Sequence, residues 1–308
     1  MSISPAAIIT LLEVPGIGEA RARSLIDRAV ATGEELRPGA VEPDADGPMD
    51  AVRHAIWTER YAAVDTVQER LDELRARGIT VLTVTDDDYP SPLRAGPAPL
   101  LLYVRGDPTL LSEEGVGFSG SRKTNAQGQA FAAELVAELV AEDTVIISGG
   151  AAGTDTAAHH AAVTGGGRTV VYLGTGIDRP FPRENAELFD AVAAAGGAVV
   201  STRPPDAGPR RHGFLDRNGL IAAQSAGIVF VAAGASGGTM AQHEIAVDAG
   251  TTVMASPPDA GIQPDAGIAQ IREDPDSSVV TDAADVTAAL RSAAPTDRSG
   301  QTQLSDGW

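Results

Sequence analysis

Cysteine is absent from this 308-residue chain, which excludes disulfides and thiolate metal sites. Lysine is almost absent: Lys123 stands alone against twenty-two arginines. Basic charge is short overall, with 23 Lys and Arg facing 42 Asp and Glu for a formal net charge of -19. Such a balance ordinarily argues against a nucleic-acid partner. Two readings compete. One is a protein with no business with phosphate. The other is a halophile's cytosolic protein, whose carboxylates hold water and counter-ions, and the loss of lysine beside plentiful Arg, Ala, Gly and Asp favours it. Net charge then reports the growth medium, and local clusters decide the partner. No run approaches the roughly 18 apolar residues of a membrane span, and "MSISPAAIITLLEVPGIG" lacks a basic n-region and a cleavage site. The expectation is a cytoplasmic protein. Five histidines offer one adjacent pair, His159 and His160, and helix neighbours do not face one site. The pair reads as lying on a helix that faces the sheet edge, without a metal.

What remains is ordinary globular composition, 43% hydrophobic and 21% charged, enough for one large domain and a small one. Residues 1–65 read as a small helical unit. Within it, "EVPGIGEARARSLIDRA" has the turn and second helix of a helix-hairpin-helix element, which either presents backbone N–H groups to a phosphate or is a plain packing module. Residues 37–50 read as a Pro/Gly/Asp-rich linker. From 66 to 293 a second domain follows. It opens with an amphipathic helix ended by Gly78, a strand "ITVLTV", a proline-rich connector and a short strand at 100–104. Apolar strands at 116–120, 144–148, 169–173, 198–201, 227–231 and 251–255 then alternate with helices at 126–141, 155–164, 183–195, 214–226 and 239–249. Apolar strands separated by helices predict an α/β fold, a Rossmann-like, doubly wound parallel sheet. After 257 the composition turns to Asp, Pro and Gly, with one last helix at 282–293 and a mobile tail at 294–308.

Ligands of open parallel sheets bind beyond the carboxyl ends of the strands. The first strand is followed by Ser119, Gly120, Ser121, Arg122 and Lys123. After the second comes "GGAAGTD", where Gly149, Gly150 and Gly153 let backbone approach a ligand and Thr154 or Asp155 can cap a helix. The third leads into Arg179, Phe181, Arg183 and Asn185. The fourth leads into Arg203, Arg210, Arg211, His212, Phe214, Arg217 and Asn218, and the fifth into Ser236, Gly237 and Thr239. Between residues 116 and 255, every cation but Arg168 falls in these loops or at the helix starts beyond them. Clustered Arg and Lys neutralise backbone phosphates, and helix N-termini add oriented donors. The strand-end edge thus reads as a basic groove on an acidic body, with Phe181 and Phe214 either core residues or platforms for bases. "GGAAGTD" is not G-x-G-x-x-G and no Walker lysine is present, so no cofactor is expected.

The chain resembles the DNA-processing protein A family, the Smf-like recombination mediators. "YPSPLRAGPAPLLYVRG", the Gly120-Ser121-Arg122 turn, "SGGAAGTDTAAH" at 148–159, "FPREN", "RNGLIA" and "SGGTMA" follow its pattern in order from about residue 70 to 292. That resemblance implies a Rossmann-like domain that binds single-stranded DNA without hydrolysing it, dimerises, and delivers the strand to a RecA/RadA-type recombinase in DNA uptake, transformation or recombination. It gives Arg122 a phosphate contact, with Arg179 or Arg183 and Arg217 as the other matching cations. Ala152, Thr202 and Gly219 depart from the pattern, where basic, acidic and basic residues respectively are common. The winged-helix domain that some relatives carry does not fit in the residues after 293. Two rivals remain. A phosphoribohydrolase of the lysine-decarboxylase-like group shares the fold, but "GASGGTMAQHE" puts Gln242 where its catalytic carboxylate belongs and Glu244 two positions late. A nucleotide-sensing module without catalysis is the other.

Overall fold

The structure, a computed structural model, describes residues 2–40, 47, 49–94 and 98–293. Part of the 37–50 linker and all of the 294–308 tail lie outside the described residues.

By internal contacts the chain divides into two units, Met1–Tyr89 with Ala98–Tyr103, and Pro90–Pro97 with Val104–Trp308. The first holds α1 (Pro5–Leu12), α2 (Glu19–Thr32), α3 (Ala51–Tyr61), α4 (Val64–Ala76) and β1 (Ile79–Thr83), together with the first half of β2 (Leu101–Gly106). Ile8, Leu11, Leu25, Ile26 and Trp57 are fully buried in it. The α1–α2 turn carries Gly16 at φ 80. Its carbonyl accepts from Arg21 Nη1 at 2.6 Å, and a Cβ at Gly16 would meet Arg53 Nε at 3.1 Å. Side chains of the unit itself therefore fill the inner side of this turn.

The second unit begins with β3 (Gly115–Ser119), α5 (Ala126–Ala141), β4 (Ile146–Ser148), α6 (Thr154–Thr164), β5 (Thr169–Leu173) and α7 (Ala186–Ala194). It continues with β6 (Ala198–Ser201), α8 (Arg211–Gln224), β7 (Ser225–Phe230), α9 (Gly238–Asp248), β8 (Thr252–Ala255), α10 (Ala266–Glu273), β9 (Ser278–Val279) and α11 (Ala283–Ser292). Strands β3 to β9 lie in the order β6-β5-β4-β3-β7-β8-β9, each parallel to its neighbours. From β3 the chain winds outward through β4, β5 and β6, then returns past β3 to β7 and winds the other way. This is the expected doubly wound sheet. The order reverses between β3 and β7, so the crevice of the fold opens beyond their carboxyl ends.

Strands buried on both faces need apolar cover on both. Phe118, Ile146, Val229 and Met254 pack with Leu135, Val136 and Leu139 of α5 and Ala158 and Ala162 of α6. Val171, Leu173 and Val199 pack with Phe189 and Val192 of α7. One polar network crosses this interior. Tyr172 Oη donates to Gln224 Oε1 at 2.7 Å, and Gln224 Nε2 donates to the carbonyls of Leu110 (2.7 Å) and Glu113 (3.0 Å). Gln224→Leu removes all three bonds from buried groups and is expected to cost about 3 kcal/mol, measured as a lower urea midpoint at unchanged m-value.

Several element ends shift by a few residues, as with α7, which starts at Ala186, and β7, which runs Ser225–Phe230, and two differences are larger. The helix expected over 214–226 runs Arg211–Gln224, so Arg211 and His212 form its first turn. The segment after 257 contains α10 and β9, which its Asp/Pro/Gly composition conceals.

Candidate nucleic-acid interface

Five turns meet at the carboxyl edge of the sheet, and specific contacts knit them together. The β3–α5 turn is tied to the β7–α9 turn across the crevice, because Ser121 N–H donates to the Ala232 carbonyl at 2.7 Å. Its shape comes from Ser121 Oγ, which accepts from Lys123 N–H at 3.1 Å. Asn125 then caps α5, accepting from Gly128 N–H at 3.1 Å, and holds the 261–263 segment by donating to Gly261 O at 2.8 Å and accepting from Gln263 N–H. Asn125 received no role in the sequence reading. The available signal was a polar N-cap directly before an alanine-rich helical run.

The β4–α6 turn fits against this first turn with no room to spare. A Cβ at Gly120 would lie 2.2 Å from Thr154 Oγ1, and one at Gly153 would lie 2.4 Å from the Ser121 carbonyl oxygen. Gly153 also has φ 81 and ψ -120, a conformation closed to side-chain-bearing residues. Gly150, at φ 69, rests against the Phe189 ring. Asn185 is buried and locks the β5–α7 connection to the same turn, its Nδ2 donating to Gly150 O at 3.0 Å and Thr156 Oγ1 at 2.7 Å.

The cations divide by environment. Arg122, Lys123, Arg179, Arg183, Arg210 and Arg211 are exposed, and none makes an ion pair among the described residues. Elsewhere in the unit, Arg105, Arg168 and Arg272 are bridged to Asp190, to Glu113 and Asp143, and to Asp265. Arg122 Cζ lies 5.6 Å from the Phe214 ring centroid, a cation–π distance, and Phe214 meets Phe181 at 5.6 Å. Phe181, 38% exposed, extends the row toward solvent. The edge is not free of carboxylates: Asp178, Glu184, Asp206 and Asp216 are exposed in or next to these turns.

Arg217 differs from the other cations. It is buried, with Nη1 3.8 Å from Asp155 Oδ2, and its guanidinium fills the place a Gly149 side chain would take. Burial raises the Asp155 carboxyl and lowers the Arg217 guanidinium, while each pulls its partner back toward the charged form. Arg122 adds to the lowering of Arg217 by like-charge repulsion. Arginine keeps its proton in proteins, and Asp155 also accepts from Ala151 N–H at 3.1 Å. The two groups therefore face each other as a buried pair.

His159 is fully buried, with Nδ1 2.8 Å from Thr169 Oγ1. Thr169 spends its own proton on the Ile146 carbonyl, so the imidazole is the donor and carries its hydrogen on Nδ1. Burial, helped by Arg217, pushes the His159 pKa down to about 3. It belongs to the interior between α6 and the sheet, whereas His160 is exposed. Asn218 is buried, and its carbonyl accepts from Gln242 Nε2 at 3.1 Å, which commits Gln242 to a structural bond. Ser236 and Gly237 are exposed on the β7–α9 turn and Thr239 half-buried in the first turn of α9. Among the described residues no cluster of three or more metal-ligating side chains occurs, and no helix is long and apolar enough to cross a membrane.

Residues 80–291 match the family model for DNA recombination-mediator protein A. The chain belongs to this family. Among curated members it is 34% identical over 204 residues to the DNA processing protein DprA of Streptococcus pneumoniae, covering 66% of this chain and 71% of that protein. It is 32% identical over 208 residues to the putative DprA of Mycobacterium tuberculosis, where the match spans 53% of the relative, about half its length. The X-ray structure of the Streptococcus pneumoniae member superposes with a TM-score of 0.76 at 29% identity, covering 93% of this chain and 98% of that one. DNA processing protein A of Helicobacter pylori, whose structure describes a single-stranded DNA binding mode, superposes at 0.61 with 23% identity and 69% coverage of this chain, and at that identity supports the fold alone.

Proposed function

We propose that the protein binds single-stranded DNA along the carboxyl edge of its sheet and delivers it, without hydrolysis and as a homodimer, to a RecA/RadA-type recombinase during DNA uptake, transformation or recombination. The observation that carries this reading is the row formed by Arg122, Phe214 and Phe181, a cation seated on one ring with a second ring beside it. Phosphate neutralisation and base stacking are the two interactions that a lone strand offers and a duplex withholds in part. In this reading Arg122, Lys123, Arg179 and Arg183 contact phosphates. Ser121, Ser236, Gly237 and Thr239 bring their turns to the strand, while Gly120, Gly149, Gly150 and Gly153, packed against Thr154, Arg217, Phe189 and Ser121, shape the turns beneath it. Asn185 and Asn218 hold the turns from within. Family membership supports a DNA partner.

Fluorescence anisotropy with oligo-dT and the matching duplex, at several salt concentrations, tests the proposal. Wild-type protein is expected to prefer the single strand. Arg122→Ala should weaken binding about tenfold, the size of one lost charged hydrogen bond, and reduce the slope of log K against log salt by about 0.7. Phe181→Ala should weaken binding even in molar salt, where counter-ion release contributes little. Equal affinity for duplex, or release of free base from a nucleoside monophosphate with no oligonucleotide binding, overturns the reading.

A further inference from the structure

Arg217 sits on α8 one turn after Phe214, so the two project from one face of that helix. Phe214 lies directly beneath the Arg122 guanidinium. Arg217 instead reaches the β4–α6 turn, where its side chain is 11% exposed and that of its partner Asp155 is 7% exposed. A Cβ at Gly149 would fall 1.0 Å from Arg217 Nη1, so the turn closes onto the guanidinium itself. Four residues on, Gly153 abuts the Ser121 carbonyl oxygen, and a Cβ there would lie 3.0 Å from the Arg122 carbonyl carbon and oxygen. A continuous run of contacts thus leads from Arg217 to the backbone of Arg122.

With its side chain 11% exposed and the Gly149 backbone closed against it, Arg217 presents little of its guanidinium to a phosphate outside the turn, and drawing it outward would break up a buried pair. Resting on the proposed reading of this edge, we infer that Arg217 is a positioning residue: paired with Asp155, it sets the Gly149–Gly153 turn on which Arg122 is seated, and it does not itself touch the DNA. This departs from the phosphate contact that the family resemblance suggests for the matching arginine.

The test combines a mutant cycle with a map of arginine reactivity. Oligo-dT affinity and its salt slope are measured for wild type, Arg122→Ala, Arg217→Met and the double variant. Arg217→Met is expected to weaken binding on its own. In the Arg122→Ala background it should change affinity by less than about twofold, the usual scatter of additive effects, and leave the slope where Arg122→Ala put it. A further slope decrease of about 0.7 in the double variant, as one more lost phosphate contact requires, overturns the inference. Should Arg217→Met fail to fold, phenylglyoxal labelling of wild-type protein with peptide mass spectrometry decides. Arg122 is expected to react when free and to be protected by saturating oligo-dT, with Arg217 unreactive in both states. Reaction of Arg217 in the free protein followed by protection overturns the inference alone. Wild-type protein that binds no oligo-dT at any salt overturns the reading of the edge, and the inference with it.

Discussion

Gly153→Ala protein is expected to unfold about 4 kcal/mol more readily than wild type and to lose most of its oligonucleotide affinity. Two costs combine. A side chain at φ 81 and ψ -120 is strained by roughly 1–3 kcal/mol. The new methyl group would also stand 2.4 Å from the Ser121 oxygen, a backbone atom that cannot swing aside, and overpacking of this kind costs a further ~1–3 kcal/mol. Relief requires separating the β4–α6 turn from the β3–α5 turn, which moves Arg122. Gly166→Ala is the matched control: it has φ 72 but nothing within 4 Å of the added Cβ. It should lose only about 1 kcal/mol and bind oligo-dT as wild type does. Urea unfolding and anisotropy on both variants separate backbone strain from contact. Equal losses in the two would show that the contact with Ser121 carries no weight.

The second large effect is on pH dependence. His159 has a folded pKa of about 3 against 6.5 for the free side chain. Between these values the unfolded chain binds the extra proton, so stability contributed by neutral His159 is complete above pH 6.5 and is lost as pH falls toward 3. The slope is about 1.4 kcal/mol per pH unit inside that window. From pH 7.5 to 5 this amounts to a loss of about 2 kcal/mol. His159→Asn keeps an N–H donor near the Nδ1 position for Thr169 but cannot titrate. It should start less stable at pH 7.5 and then decline about 2 kcal/mol less than wild type on acidification. Urea titrations at the two pH values, with salt held constant, measure the difference. Parallel declines would mean that His159 accepts a proton within the fold.

Much of the architecture was legible because apolar strands and alternating helices leave an unambiguous pattern. The turns that carry Gly120, Gly149, Gly153 and Gly237 could be placed on one edge from chain order alone, since parallel strands end together. Hidden features were those that depend on depth. α10 follows a stretch of Asp, Pro and Gly that reads as loop, and its buried face is only Gly267, Ile268 and Ile271. Arg217 reads as one more exposed cation because a sequence does not say which arginine turns inward. That is decided by Gly149 leaving space for it and by Asp155, sixty-two positions away in the chain, supplying the opposite charge. The same holds for Arg122 on Phe214, where neither residue type announces its partner.

The central position of β3 has a consequence for how the molecule is made. β3 pairs with β7, Val116 against Gly227, across roughly 110 residues of chain. Closing so wide a loop is entropically costly before any contact rewards it, and such pairings slow folding. A nascent chain leaving the ribosome can complete β3 through β6 while the crevice still lacks one wall. Under the proposed function, competence to hold a strand should therefore arise late and all at once, when β7 docks.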